Sequence, residues 1–129
     1  MGNDMFIENS GWVGESETVY SRIEGNIIRG VDHVPMNDKY FGEGICSLND
    51  EHTKFLRMTW RDNLIEILDS SLRVTEQRPL FDGPKEGWGI TRHQQTLYVT
   101  DGSATIYLVD AETFEPLGSL QVRNRAGRP

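Results

Sequence analysis

The strongest constraint on this chain is an internal repeat. Gly42-Glu43-Gly44-Ile45 recurs as Gly87-Trp88-Gly89-Ile90, an offset of 45 residues. Leu56-Arg57-Met58-Thr59 recurs as Leu97-Tyr98-Val99-Thr100 at an offset of 41, which also pairs Ile65, Ile67 and Asp69 with Ile106, Leu108 and Asp110. The change of offset places an insertion of four residues around Glu51 to Lys54. A weaker copy precedes these, with Phe6-Ile7-Glu8-Asn9 followed by Thr18-Val19-Tyr20-Ser21. Periods of this length belong to arrays in which each unit buries its apolar face against the next.

The content of each unit is β. Leu97 to Thr100 and Thr105 to Val109 are rich in β-branched and aromatic residues, with a turn at Asp101-Gly102-Ser103. Asp110 to Thr113 forms a second turn, and Phe114 to Val122 supplies another strand. The preceding unit follows the same plan, with Phe55 to Trp60, a turn at Arg61-Asp62-Asn63, then Leu64 to Leu68. No window carries a sustained helical period with caps, so no long helix is expected. Units of about four short strands at this period predict an all-β propeller, with Gly-x-Gly-Ile opening the innermost strand where blades converge. An antiparallel sandwich with two similar hairpins is the competing fold.

Length limits the propeller. Four blades of this period need roughly 164 residues, and the chain has 129. It therefore holds about two and a half to three blades in one partial domain over 1–129, at approximately 1–38, 39–84 and 85–129. An open arc leaves sheet faces and edge strands uncovered, which favours self-association. A fragment or a part of a larger assembly is the expectation.

Charge and composition exclude several function classes. The formal net charge is −7, from 13 basic and 20 acidic side chains. No basic patch is available to neutralise phosphates, so no nucleic-acid partner is expected. No stretch approaches the roughly 20 apolar residues of a membrane-spanning helix, and Met1 to Phe6 shows no secretory signal. Cys46 is the single cysteine and has no disulfide partner within the chain, and His33, His52 and His93 have no zinc-type spacing. Neither a metal nor another cofactor is called for.

Several motifs in order resemble one family. They are Tyr40-Phe41-Gly42-Glu43-Gly44-Ile45, Thr59-Trp60, Glu86-Gly87-Trp88-Gly89-Ile90, Asp101-Gly102-Ser103-Ala104-Thr105 and Asp110-Ala111-Glu112-Thr113-Phe114. Together they resemble the plant and bacterial type of glutaminyl cyclase, from about Phe6 to the end of the chain. The resemblance implies a five-bladed propeller that converts the N-terminal glutamine of a peptide or protein into pyroglutamate with release of ammonia. It implies no catalytic zinc, a structural calcium in some members, and a typically secreted, periplasmic or otherwise extracytoplasmic location. No residue pattern here identifies a calcium site.

That activity is an intramolecular acyl transfer. The α-amine must be deprotonated to attack the γ-carboxamide, and the departing nitrogen must be protonated to leave; one carboxyl group can serve both steps. Glu43 is the candidate, and the resemblance places it on the family's general acid/base. Alone, an acid between two glycines also reads as a solvated strand start. The repeat puts Trp88 in the slot that Glu43 holds one unit earlier, so both are expected to face the central channel. Trp60 and Trp88 match channel aromatics of the family and would wall a dry substrate pocket. Read alone, each is more readily a packing residue between blades. Phe41 is a further substrate-binding candidate with a core role as its alternative. Asp101 and Ser103 read as turn residues, Cys46 as a small buried residue, His93 as part of a polar tip from Arg92 to Gln95, and Lys85-Glu86 as surface.

The family's N-terminal Thr-Gln-Gly segment has no match, and Gly127-Arg128-Pro129 ends short of its Leu-Asn-Glu-Leu motif. The expectation is a chain holding the proton shuttle and two pocket indoles, weakly active or inactive alone. Missing electrostatic donors at such a site cost on the order of a hundredfold in rate. The competing functions are a non-catalytic propeller scaffold and a metal-dependent propeller enzyme such as a lactonase.

Overall fold

Residues 5–129 are described by a computed structural model; the beginnings of the Met1–Phe6 segment and of the first expected blade lie outside them. Among the described residues every regular element is a strand, and the strands form three antiparallel sheets. The first sheet holds β1 (Met5–Asn9), β2 (Glu17–Glu24) and β3 (Ile27–Pro35). The middle sheet holds β4 (Phe41–Ser47), β5 (Lys54–Trp60), β6 (Leu64–Asp69) and β7 (Val74–Pro79). The last sheet holds β8 (Ile90–His93), β9 (Thr96–Thr100), β10 (Thr105–Asp110) and β11 (Pro116–Gln121). Spatial order follows chain order in each, so the sheets are consecutive meanders: the partial propeller that the repeat calls for. The β4–β5 connection spans 48–53 and the β8–β9 connection only 94–95, and this accounts for the change of repeat offset.

Burial explains why the middle strands read as nearly unbroken apolar runs. Side chains alternate across a strand, so a sheet covered on both faces needs core residues at successive positions. In β5 and β6, Leu56, Met58, Ile65 and Ile67 point to the last sheet. There they join Cys46, Phe81, Leu97, Val99, Val109 and Ala111 in one buried cluster. The intervening Phe55 and Leu68 point the other way and pack with Leu72, Ile7, Tyr20, Val34 and Ile45. Each fully buried aliphatic side chain contributes on the order of 1.5–3 kcal/mol.

Arg57 and Glu66 also lie on the face toward the first sheet. Their side chains are 2% and 3% exposed and form an ion pair of 2.6 Å. The outermost strands β7 and β11 are exposed along their length. The outward face of the last sheet leaves Leu120 half exposed opposite Ile106.

Strand direction identifies what the first sheet contains. Gly44 donates its N–H to the Trp88 carbonyl, and Arg92 Nε donates to the Ser47 carbonyl, so β4 and β8 run the same way. Asn9, at the end of β1, reaches the start of β4 through the Glu43 carbonyl, while Ile7 packs beside Ile45 farther along. β1 therefore runs against β4. It holds the place that β5 and β9 hold in their own sheets, and the first sheet presents the second to fourth strands of a blade.

Candidate active site

A bulge at the start of β4 aims Glu43. Phe41 and Gly42 pair with Trp60 and Thr59, and pairing resumes at Ile45 with Arg57. Glu43 and Gly44 thus stand opposite the single residue Met58, and side-chain alternation slips by one. As a result Gly42 and Ile45 both face the first sheet, while Glu43 joins Phe41 and Trp60 on the opposite side.

The glycines around Glu43 allow backbones to meet. A Cβ on Gly42 would lie 2.6 Å from Asn9 Nδ2 and from the Ser10 carbonyl oxygen. One on Gly44 would lie 2.7 Å from the Ile90 nitrogen. Both neighbouring sheets then satisfy the bulge's backbone. Asn9 Nδ2 donates to the Glu43 carbonyl at 3.0 Å, and the Gly44 N–H donates to the Trp88 carbonyl at 2.8 Å.

The Asn9 contact ends a buried polar chain. Arg57 donates to Thr18 Oγ1 at 2.9 Å, and Thr18 donates in turn to Asn9 Oδ1 at 2.6 Å. Gln77 donates to the second oxygen of Glu66. The ion pair is thereby linked to the peptide group of Glu43, a connection that the sequence reading did not anticipate.

Phe41, Glu43, Trp60 and Trp88 line one open cavity of about 310 Å³. Phe41 and Trp60 meet edge to face, with ring centroids 5.4 Å apart. The Arg61 guanidinium lies over the Trp60 ring at 4.0 Å. Trp88 is 47% exposed and sits just ahead of β8, where its backbone N–H donates to the Thr100 carbonyl. Gly102, at φ +79°, passes beneath the indole, and a Cβ there would fall 2.7 Å from Cζ2. The turn glycine therefore also makes room for the ring.

Glu86 departs from its surface reading. It is half-buried, and its two carboxylate oxygens accept the indole N–H groups of Trp60 at 3.0 Å and Trp88 at 2.9 Å. A signal for it was present: at the 45-residue offset Glu86 falls on Phe41, itself a candidate. Burial pushes the Glu43 carboxyl above its ordinary value of 4.5, and the negative charge of Glu86 pushes it in the same direction.

The remaining candidates lie elsewhere. Cys46 is buried in the apolar cluster between the middle and last sheets, and burial pushes its thiol up to about 12 against a smaller opposing effect of Arg92. His93 is exposed, but its neighbour Arg92 binds the Ser47 carbonyl and Asp50. Asp101 is more than a turn residue. It is buried and accepts bonds from Ser103, the Lys85 N–H and Tyr107. Among the described residues no three His, Cys, Asp or Glu side chains are grouped to hold a metal ion.

A family model described as glutamine cyclotransferase matches residues 1–128. The glutaminyl-peptide cyclotransferase of Arabidopsis thaliana is 25% identical over 114 residues, covering 88% of this chain and 34% of that protein. The glutaminyl cyclase of Myxococcus xanthus superposes with a TM-score of 0.67 at 17% identity, covering 98% of this chain and 54% of that one. The WD40 domain of Neurospora crassa Pan2 superposes with a TM-score of 0.62 at 11% identity, covering 88% and 35%. The chain thus spans about a third of the length of the Arabidopsis relative.

Proposed function

Since this chain belongs to the glutamine cyclotransferase family, we propose that it carries the acid–base part of a site closing an N-terminal glutamine to pyroglutamate. The observation that carries this reading is the half-buried Glu43 carboxylate sharing one cavity with Phe41, Trp60 and Trp88. The substrate's α-nitrogen attacks the carbonyl carbon of its own side-chain amide, and the C–N bond of that amide breaks. Glu43 takes a proton from the attacking nitrogen and returns it to the leaving one, so ammonia departs and the carboxylate is restored. Both reacting groups belong to one residue, so the site's main task is to hold the side chain folded against the amine. The indole faces and Phe41 exclude water around the glutamine stem, and an indole face attracts the ammonium form as it enters.

The substrate class is a peptide or protein with N-terminal glutamine, met outside the cytoplasm as is typical of the family. Because the chain covers about half of the Myxococcus structure, the 129 residues alone are weakly active or inactive. The blades beyond them supply the donors that polarise the amide.

The test is to incubate the chain, and the intact gene product containing it, with a glutaminyl peptide and follow loss of ammonia by mass spectrometry. Glu43→Gln should lower kcat of the active form by at least about a hundredfold with folding unchanged. The wild-type rate should fall as pH drops through the raised pKa of Glu43, because the base is then already protonated. Near-normal turnover by the Gln variant removes Glu43 from the mechanism. A blank assay in the intact product favours a non-catalytic scaffold.

A further inference from the structure

We propose that Glu86 is a positioning residue, a two-pronged acceptor that holds the indoles of Trp60 and Trp88 as the preset walls of the substrate cavity. The proposal rests on the cyclotransferase reading and extends it to a residue that does not itself react. Each indole has one N–H and turns only about χ1 and χ2, so the place of that bond's acceptor selects the ring's rotamer. Both point at one carboxylate, at 3.0 and 2.9 Å, one oxygen each. The two rings come from different sheets: Trp60 ends β5, and Trp88 precedes β8. Glu86 therefore sets the distance between opposite walls as well as the orientation of each.

The surroundings show why this residue matters more for one ring than the other. Trp60 is also held by Phe41 and stacked under Arg61. Trp88 is half exposed, with the backbone of Gly102 beneath it. Without the carboxylate, Trp88 is the ring free to change rotamer. Gly87 brings Glu86 close to the end of β5, since a Cβ there would lie 3.0 Å from Met58 Cβ and 3.2 Å from the Thr59 carbonyl oxygen. Charge-assisted bonds of this kind are the stronger class of hydrogen bond, and a site's precision comes from such supporting contacts.

Glu86→Gln is the discriminating substitution. An amide offers one acceptor oxygen, while its NH2 would meet the second indole N–H donor to donor. Trp12 lies on the exposed loop between β1 and β2, so Trp12→Phe leaves Trp60 and Trp88 as the only indoles. In that background, acrylamide quenching of the chain should rise about twofold on Glu86→Gln, with the thermal midpoint nearly unchanged.

In the intact gene product, KM for glutaminyl-alanine should rise about tenfold while kcat changes less than threefold. Glu86→Gln should add little once Trp60→Phe and Trp88→Phe have removed both N–H groups. Unchanged quenching overturns the proposal, as does increased quenching with an unchanged KM. If Glu86→Gln fails to fold, Glu86→Asp decides, because a carboxylate one methylene shorter cannot meet both indole N–H groups and must raise quenching and KM together. If the wild type turns over no glutaminyl peptide, the cyclotransferase reading fails. Quenching then still decides whether Glu86 orders the rings.

Discussion

The middle sheet meets its two neighbours through different chemistry. Toward the last sheet it presents Leu56, Met58, Ile65 and Ile67 to Leu97, Val99 and Val109, a dry apolar cluster with polar bonds only at its rim, from Arg92 to the Ser47 carbonyl and Asp50 and from Trp60 to Glu86. Toward the first sheet it presents Arg57 and Glu66, joined through Thr18 and Asn9 to the Glu43 carbonyl, beside a smaller apolar group around Phe55 and Leu68. A dry interface is tolerant of small slips, because dispersion and burial have no direction. A hydrogen-bonded one has a single register, because each donor has one acceptor at one distance. The polar chain on the first-sheet side ends on the Glu43 carbonyl, while the N–H of the same peptide unit, that of Gly44, is held from the other side by the Trp88 carbonyl. The dry side supplies adhesion.

The largest expected effect tests the wired side. Glu66→Ala leaves the Arg57 guanidinium buried without its partner and should cost about 3–5 kcal/mol in urea unfolding. Replacing both, Arg57→Met with Glu66→Leu, should return the stability to within about 1 kcal/mol of the wild type or above it. If the double replacement also leaves kcat of the intact product unchanged, the wiring does not position Glu43 and the contrast drawn here fails. Leu97→Ala, on the dry side, should cost about 2–5 kcal/mol by cavity formation and leave KM alone once the protein is folded. An equal loss of substrate affinity from both sides would remove the distinction.

A smaller effect sharpens it at the rim of the last sheet, where polar order reappears at Asp101. Burial raises the pKa of this group, but the bonds from Ser103, Lys85 and Tyr107 outweigh burial and hold it below the ordinary aspartate value. A depressed folded-state pKa contributes stability above the unfolded value of about 3.9, and that stability is lost as pH falls through the folded-state pKa. Asp101→Asn should therefore lower stability at neutral pH by about 1–2 kcal/mol and flatten the acid side of the stability profile below about pH 4. A profile identical in shape to the wild type would show that Asp101 carries no such linkage.

Much of the fold was legible because a repeat reports its own architecture. Glycines recur where backbones converge, and alternating strands recur between them. The grouping of the candidate residues was legible for a related reason, since Phe41, Glu43 and Trp88 are set among those glycines, whereas Trp60 was legible only through the family resemblance and joins them as the cross-strand partner of Phe41.

What stayed hidden is physically of one kind. Arg57 and Glu66 look like outward-facing charges of ordinary strands, and only the stacking of a second sheet turns them inward. Glu86, beside Lys85 and before a glycine, has the local pattern of a solvated turn, and its two indole partners lie on separate elements. Asp101 belongs to a genuine turn, but its carboxylate also accepts bonds from Lys85 and Tyr107, which lie outside that turn. Local pattern carries strand and turn, whereas the fate of a charge is decided by what packs over it.

The β4 bulge gives the site an arithmetic character. Whether Glu43 looks into the aromatic hollow beside Phe41 or toward the first sheet depends on an odd or even count of residues between Phe41 and Glu43. Deleting Gly42 would restore regular alternation and turn the acid toward the first sheet, although every side chain named in the chemistry would still be encoded. A single codon's loss at that spot would thus reorient the carboxyl while hardly changing the composition.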